Sequence, residues 1–198
     1  MKAVLLSIQP KWCGKIASGE KTVEIRKSMP KIETPFKCYI YCTKNPYLQF
    51  WAGSRYAYAD DHSHNAFDKC GNGKVIGEFI CTEARPYAWM RYEFPFDDNG
   101  EYYIPESDLK SSCLTYRQLD DYGDGEPLFG WRISDLVIYP KPMELNEFMK
   151  PCKNDLFCEA CAMYREFEER CGNGALMIKR APQSWCYVEE VFTDDRNS

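Results

Sequence analysis

The stretch Lys21-Thr22-Val23-Glu24-Ile25-Arg26-Lys27 gathers an ammonium group, a hydroxyl, a carboxylate and a guanidinium within six positions. In an extended chain, successive side chains point to opposite faces. Thr22, Glu24 and Arg26 then share one face, and Val23 and Ile25 share the other. Lys21 stands at the entrance to this row. A lysine that is close to other cations and partly removed from water can serve as a base or nucleophile. Arg26 and Lys27 are the neighbouring cations here. The same ammonium group can instead neutralise a phosphate or pair with an acid. Thr22 could bond a phosphate or simply suit a strand. Lys21, Thr22 and Glu24 are therefore the catalytic candidates. Glu24 paired with Arg26 would hold the guanidinium in place. A held arginine presents N–H donors to a phosphate or a base edge, although the pair could also be a salt bridge with no ligand.

Binding candidates surround this row. Trp12 could stack on an unpaired base or pack in the core. Trp131 carries the same two readings. Gln9, Ser7 and Tyr41 are candidates for the rim, and Arg26 is a ligand-binding candidate in its own right. A third acid could come from Asp120, Asp121 or Glu126, with nothing to select one.

Two further clusters could hold a metal. Cys152, Cys158, Cys161 and Cys171 place four thiols in twenty residues. The Cys158-Glu159-Ala160-Cys161 step has the spacing that lets two thiolates grip one zinc ion, and a tetrahedral site needs four ligands at about 2.3 Å. A structural zinc is one expectation. Scattered buried thiols and a redox pair at Cys158 and Cys161 are the others. His62 and His64 follow Asp60-Asp61, but spacing fixes no further ligand, so an exposed loop is the expected role.

The elements that must position these groups follow from periodicity and breakers. Strands are predicted over Lys2–Ile8, Lys21–Lys27, Phe36–Thr43, Lys74–Thr82, Phe129–Ile138 and Ser184–Val191. A short helix is predicted over Lys11–Ser18, with Pro10 at its first position and Gly19 ending it. Its stripes pair Trp12 with Ile16 and Cys13 with Ala17, leaving Lys11 and Lys15 toward solvent. Thr115–Tyr122, Leu145–Met149 and Glu159–Arg170 read as further helical pieces, and 86–104 as a hairpin or loop. Tyr139-Pro140-Lys141-Pro142 is expected to break the strand before it. Residues 44–73 lack periodicity and read as a long excursion. Cys-Gly-Asn-Gly occurs at 70–73 and again at 171–174, and Asn-Gly favours tight antiparallel turns.

Composition bounds the rest. The 198 residues are 44% hydrophobic and 15% aromatic, which supports a real core with β-rich, aromatic-lined grooves. Residues 1–37 carry eight Lys/Arg against three acids, a charge of +5, while the remainder carries −10. That pattern suits one local anion-binding face rather than a general polyanion coat. No apolar run approaches the roughly 18 to 20 residues of a membrane helix, and the opening residues turn polar too soon for a signal peptide. A cytoplasmic protein is expected, with its 11 Cys as reduced thiols or metal ligands.

Ser7-Ile8-Gln9-Pro10-Lys11-Trp12, followed by Ile16, Gly19 and Lys21-Thr22-Val23-Glu24-Ile25-Arg26, resembles the opening of an ASCH domain (activating-signal-cointegrator homology). Val75-Ile76-Gly77-Glu78-Phe79 resembles that family's central strand. Gly130-Trp131-Arg132-Ile133-Ser134-Asp135-Leu136-Val137-Ile138-Tyr139 is similar to blocks of its phage and prophage members. The resemblance spans roughly residues 1–148. It implies an α+β, mainly β chain with a PUA-like fold, a mixed, mostly antiparallel β-barrel with short helices. Residues 149–182 would be a Cys-rich helical appendage inserted before a final barrel strand and tail, 183–198. Relatives typically bind RNA or modified nucleotides in a cleft beside the first helix and second strand. Some are hydrolases, acting on acetylcytidine or on RNA. Lys21 matches the lysine of the acetylcytidine amidohydrolases, whereas Glu24 stands where those enzymes carry threonine.

Overall fold

The computed structural model describes residues 2–50, 57–58, 70–91, 100–152 and 173–191. Ten strands and three helices are described: β1 (Lys2–Ile8), α1 (Pro10–Ala17), β2 (Val23–Arg26), β3 (Phe36–Cys42), β4 (Leu48–Gln49), β5 (Ala57–Tyr58), β6 (Val75–Tyr87), β7 (Trp89–Arg91), β8 (Gly100–Tyr102), α2 (Glu106–Ser112), α3 (Tyr116–Gly123), β9 (Leu128–Met143) and β10 (Trp185–Glu189). Six strands form one sheet in the order β10-β1-β3-β6-β9-β2. β1 and β3 run parallel, and every other neighbouring pair in it is antiparallel. The expected mixed, mostly antiparallel arrangement is therefore present.

The barrel is not closed by strand pairing. β10 and β2 are the two edges of an open sheet. Side chains lace these edges together instead. Arg26 on β2 donates through Nη2 to the Ser7 carbonyl at 2.9 Å, and Nη1 lies 3.5 Å from Ser184 Oγ. Trp185 Nε1 donates to Ser28 Oγ at 3.0 Å, and the Lys31 N–H donates to the Tyr187 hydroxyl at 2.6 Å.

Both faces of the central strands are covered, so β1 and β3 read as nearly continuous apolar runs. Val4, Leu6, Ile8, Cys38, Ile40 and Cys42 point into the concave core with Phe79, Trp131 and the buried side of α1. Ala3, Leu5, Tyr39 and Tyr41 point the other way, against Tyr139, Phe148, Ile178 and Val188. A third, smaller core joins Val23 and Ile25 to Tyr87, Ile104, Leu119 and Leu128 beneath α2 and α3.

β9 runs past the expected break to Met143. Tyr139–Pro142 fall between the pairs Gly77–Ile138 and Val75–Met143, four residues against one. The two prolines therefore sit in a bulge, where no ladder N–H is required of them. Sequence reading also omitted α2, and placed α3 one residue early. Thr115 is the cap of α3, its hydroxyl accepting from the Gln118 N–H while Gln118 bonds back. The first Cys-Gly-Asn-Gly makes a tight turn into β6, where Asn72 bonds the Phe50 N–H and the Leu48 carbonyl. At the second, Asn173 caps a 3-10 turn, Gly174–Leu176, rather than joining two strands.

The chain leaves and re-enters the sheet region at adjacent points. Lys150 donates to the Leu176 carbonyl, and Ile178 to that of Phe148. Most of the expected Cys-rich appendage, with Cys158, Cys161 and Cys171, lies outside the described residues, as do His62 and His64. Cys152 is described, half-buried, with its N–H 3.4 Å from Glu189 Oε1. Among the described residues no group of His, Cys, Asp and Glu could hold a metal ion, and no helix is long and apolar enough to cross a membrane.

Candidate functional site

A cleft of about 830 Å³ opens where the laced edges meet. Four stretches, with Thr43 after β3, build its wall. The end of β1 and the start of α1 bring Ser7, Gln9 and Trp12, and β2 with its flanks brings Lys21 and residues 24–28. α3 and the residue before its cap bring Leu114, Gln118, Asp121 and Tyr122, and the approach to β10 brings Gln183 and Ser184.

Its floor is an ionic cluster. Glu24 lies between two cations, with Oε2 3.3 Å from Lys21 Nζ and Oε1 3.0 Å from Arg26 Nη2. All three side chains are at least nine-tenths buried. Lys21 donates to the Ser112 carbonyl at 2.7 Å, and its ammonium lies 5.2 Å from the Trp12 ring centre. Buried charges persist only when paired and hydrogen-bonded; each charge here has an ion-pair partner, while the buried Arg26 Nε has no hydrogen-bond partner among the described residues.

Local sequence explains the placement. Pro10 opens α1, and Gly19, at φ +76°, turns the chain out of it. The Lys21 N–H bonds back to the Lys15 carbonyl, which fixes the entry to β2. β2 then pairs with β9, Glu24 opposite Trp131 and Ile25 opposite Gly130. Gly130 has to be glycine, because a Cβ there would collide with the Tyr87 ring. Cys13 and Cys42 are buried behind the cluster. Burial and the adjacent Cys42 thiol push the Cys13 thiol well up, with Glu24 adding to the effect.

The structure brings together Gln9, Trp12, Lys21, Glu24 and Arg26 from the sequence-based candidates. Trp12, placed on a buried stripe by spacing, is half-buried and lines the cleft while its edge packs on the core. Three candidates go elsewhere. Thr22 is not among the lining residues; it is the point at which β2 joins β9 and α2, its N–H bonding Ser111 and its carbonyl accepting from Ile133. Tyr41 packs in the core on the opposite face of the sheet. Trp131 is fully buried, edge-on to Phe36 at 5.6 Å and near Trp185 at 6.2 Å.

Of the acids Asp120, Asp121 and Glu126, only Asp121 lines the cleft. Sequence reading missed Tyr122, Gln118, Gln183, Ser184 and the Ser112 carbonyl. The polar spacing of Gln118, Asp121 and Tyr122 on one helix face was the available signal for α3. Nothing local marked Ser184, which arrives from the far end of the chain.

No family model matches the sequence, and no curated protein matches it. Among solved structures, the crystal structure of ASCH from Zymomonas mobilis matches at 16% identity, covering 95% of this chain and 88% of that one, with a TM-score of 0.51. A structure of a single-residue variant of the same protein matches at 16% identity over 96% and 92%, with a TM-score of 0.49. The first match spans nearly the whole of both molecules, and the strand-rich sheet with its three short helices agrees with it: the chain has the ASCH fold, a PUA-like fold, here an open sheet with laced edges.

Proposed function

We propose that the cleft binds RNA or a modified nucleotide, taking one unpaired nucleotide between the α1–β2 wall and α3. The observation that carries this reading is the buried Lys21–Glu24–Arg26 cluster at the floor of a cleft of about 830 Å³. Two cations against one carboxylate leave the floor with net positive charge, and Lys27 adds another cation at the wall. Trp12 on α1 and Tyr122 on α3 supply aromatic surface to its lining. That volume falls within the range typical of small-ligand sites, and the charge suits a phosphate-bearing ligand. ASCH-fold relatives support the same direction through the resemblance carried by residues 1–27.

Binding of short single-stranded RNA and of nucleoside monophosphates, measured by anisotropy and calorimetry, tests the proposal. Affinity is expected to fall with rising salt. Trp12→Ala is expected to weaken it by about 1–3 kcal/mol, the usual worth of a base–aromatic contact. Binding that ignores both salt and this substitution would sink the reading.

A hydrolase acting on nucleosides or RNA is the second reading. The contact that favours it is Glu24 Oε2 at 3.3 Å from Lys21 Nζ, an acid beside a lysine within reach of a bound substrate. Turnover that survives Lys21→Ala would remove it.

A further inference from the structure

The edge of β2 that faces the cleft has its own hydrogen-bonding capacity. β2 pairs with β9 in a constant register, Val23 with Arg132 through Arg26 with Phe129. The Ile133 N–H donates to the Thr22 carbonyl. In an antiparallel ladder, bonded and non-bonded pairs alternate. Glu24 and Arg26 therefore spend their main-chain groups on β9, and the N–H and C=O of Ile25 point away from it.

Ile25 lines the cleft, yet its side chain is packed in the third core with Tyr87, Leu119 and Leu128. It reaches the cleft through its main chain. No hydrogen bond to its N–H or C=O is found among the described residues. A donor and an acceptor on one extended residue lie side by side and point the same way.

Val23 turns its main-chain pair to the same side but does not line the cleft. α2 flanks the start of β2, taking the Thr22 N–H on Ser111 and the Lys21 ammonium on Ser112. Downstream, the Tyr122 phenol meets the Lys27 main chain, and Lys27 Nζ lies 5.4 Å from the Tyr122 ring centre. Within the cleft, one donor–acceptor pair of this edge is left open. That is too little for an added peptide strand, which needs several alternating pairs. It is enough for the edge of one heterocycle.

We propose that the Ile25 main chain reads the Watson–Crick edge of an unpaired base. Each of the four bases carries an adjacent donor and acceptor there: N3–H and O4 of uracil, N4–H and N3 of cytosine, N6–H and N1 of adenine, N1–H and O6 of guanine. The contact thus selects for an unpaired edge rather than for one base, and duplexes are rejected because their edges are occupied. This deepens the nucleotide-binding reading and rests on it.

The test pairs calorimetry with amide NMR of isoleucine-labelled protein. Uridine and cytidine monophosphate are expected to shift the Ile25 amide and slow its exchange with solvent about tenfold. N3-methyluridine monophosphate, whose edge is blocked, is expected to bind about tenfold more weakly, or less still, for the two bonds lost. Ile25→Val serves only to identify the Ile25 amide signal, by its loss from the spectrum. Heat of binding with an unmoved Ile25 amide, or equal affinity for the methylated nucleotide, would overturn the base contact while leaving the cleft as a nucleotide site. Stronger protection of that amide by an extended valine-rich peptide would also overturn it. No heat of binding with any nucleotide would take down the nucleotide reading, and the base contact with it.

Discussion

Two places among the described residues hold a buried carboxylate between two cations. In the cleft, Glu24 sits between Lys21 and Arg26 at 3.3 and 3.0 Å. Near the third core, Asp108 on α2 sits between Arg85 and Arg132 at 3.3 Å each, and also accepts from the Tyr87 hydroxyl at 2.7 Å. The second place adds the half-exposed Glu83, 2.9 Å from Arg85 and 3.2 Å from Arg132, and the settings are opposite. The Lys21 and Arg26 side chains are 2% and 8% exposed, whereas those of Arg85 and Arg132 are 43% and 40% exposed. The first cluster floors a large cleft; the second leaves no room for a water-sized ligand. A trio of charges does not by itself define a site. Space beside it and the burial of its side chains do. The two clusters are also coupled through α2: Asp108 braces its first half, and its last residue offers Lys21 the Ser112 carbonyl.

The contrast can be broken by removing each carboxylate in turn. Glu24→Ala strands two buried cations, and a cost of about 3–5 kcal/mol is expected, the usual penalty for breaking a buried pair. Urea unfolding measures it, and a loss below 1 kcal/mol would erase the distinction. Asp108→Asn is expected to cost less, about 1–3 kcal/mol, chiefly through the buried Tyr87 contact; the two arginines can turn to water. A loss in nucleotide affinity beyond that of stability would show the brace acting on Lys21.

The smallest effect comes from acid. Hydrogen bonds from Arg85 and Arg132 lower the Glu83 carboxyl below its ordinary value. A lowered native value stabilises the fold above the ordinary carboxylate range and loses that contribution as pH falls through the lowered value. Glu83→Gln should therefore narrow the stability gap between pH 6 and pH 3 only slightly, because the group is exposed.

Much of this was legible in the chain itself. Alternation over Lys21–Lys27 put Glu24 and Arg26 on one face, and they are found together. It could not show Lys21 joining them, because Lys21 precedes β2 and is aimed by the turn after α1. The helix Glu106–Ser112 escaped notice because Leu109 is its lone large apolar residue, too little for a stripe. Prolines 140 and 142 signalled a strand end, since a bulge that absorbs them is a tertiary event. Trp12 and Trp131 were indistinguishable by type; one met a helix surface at the cleft and the other the concave core.

The lacing between Arg26 and Ser184, Ser28 and Trp185, and Lys31 and Tyr187 has a consequence for how this architecture diversifies. A residue inserted in a ladder either slips the register of the strand or has to be absorbed by a bulge. Stitches made by individual side chains impose no register, so each can be exchanged alone. New mouths, wider or narrower, can thus be cut at this junction while the rest of the sheet keeps its pairing unchanged.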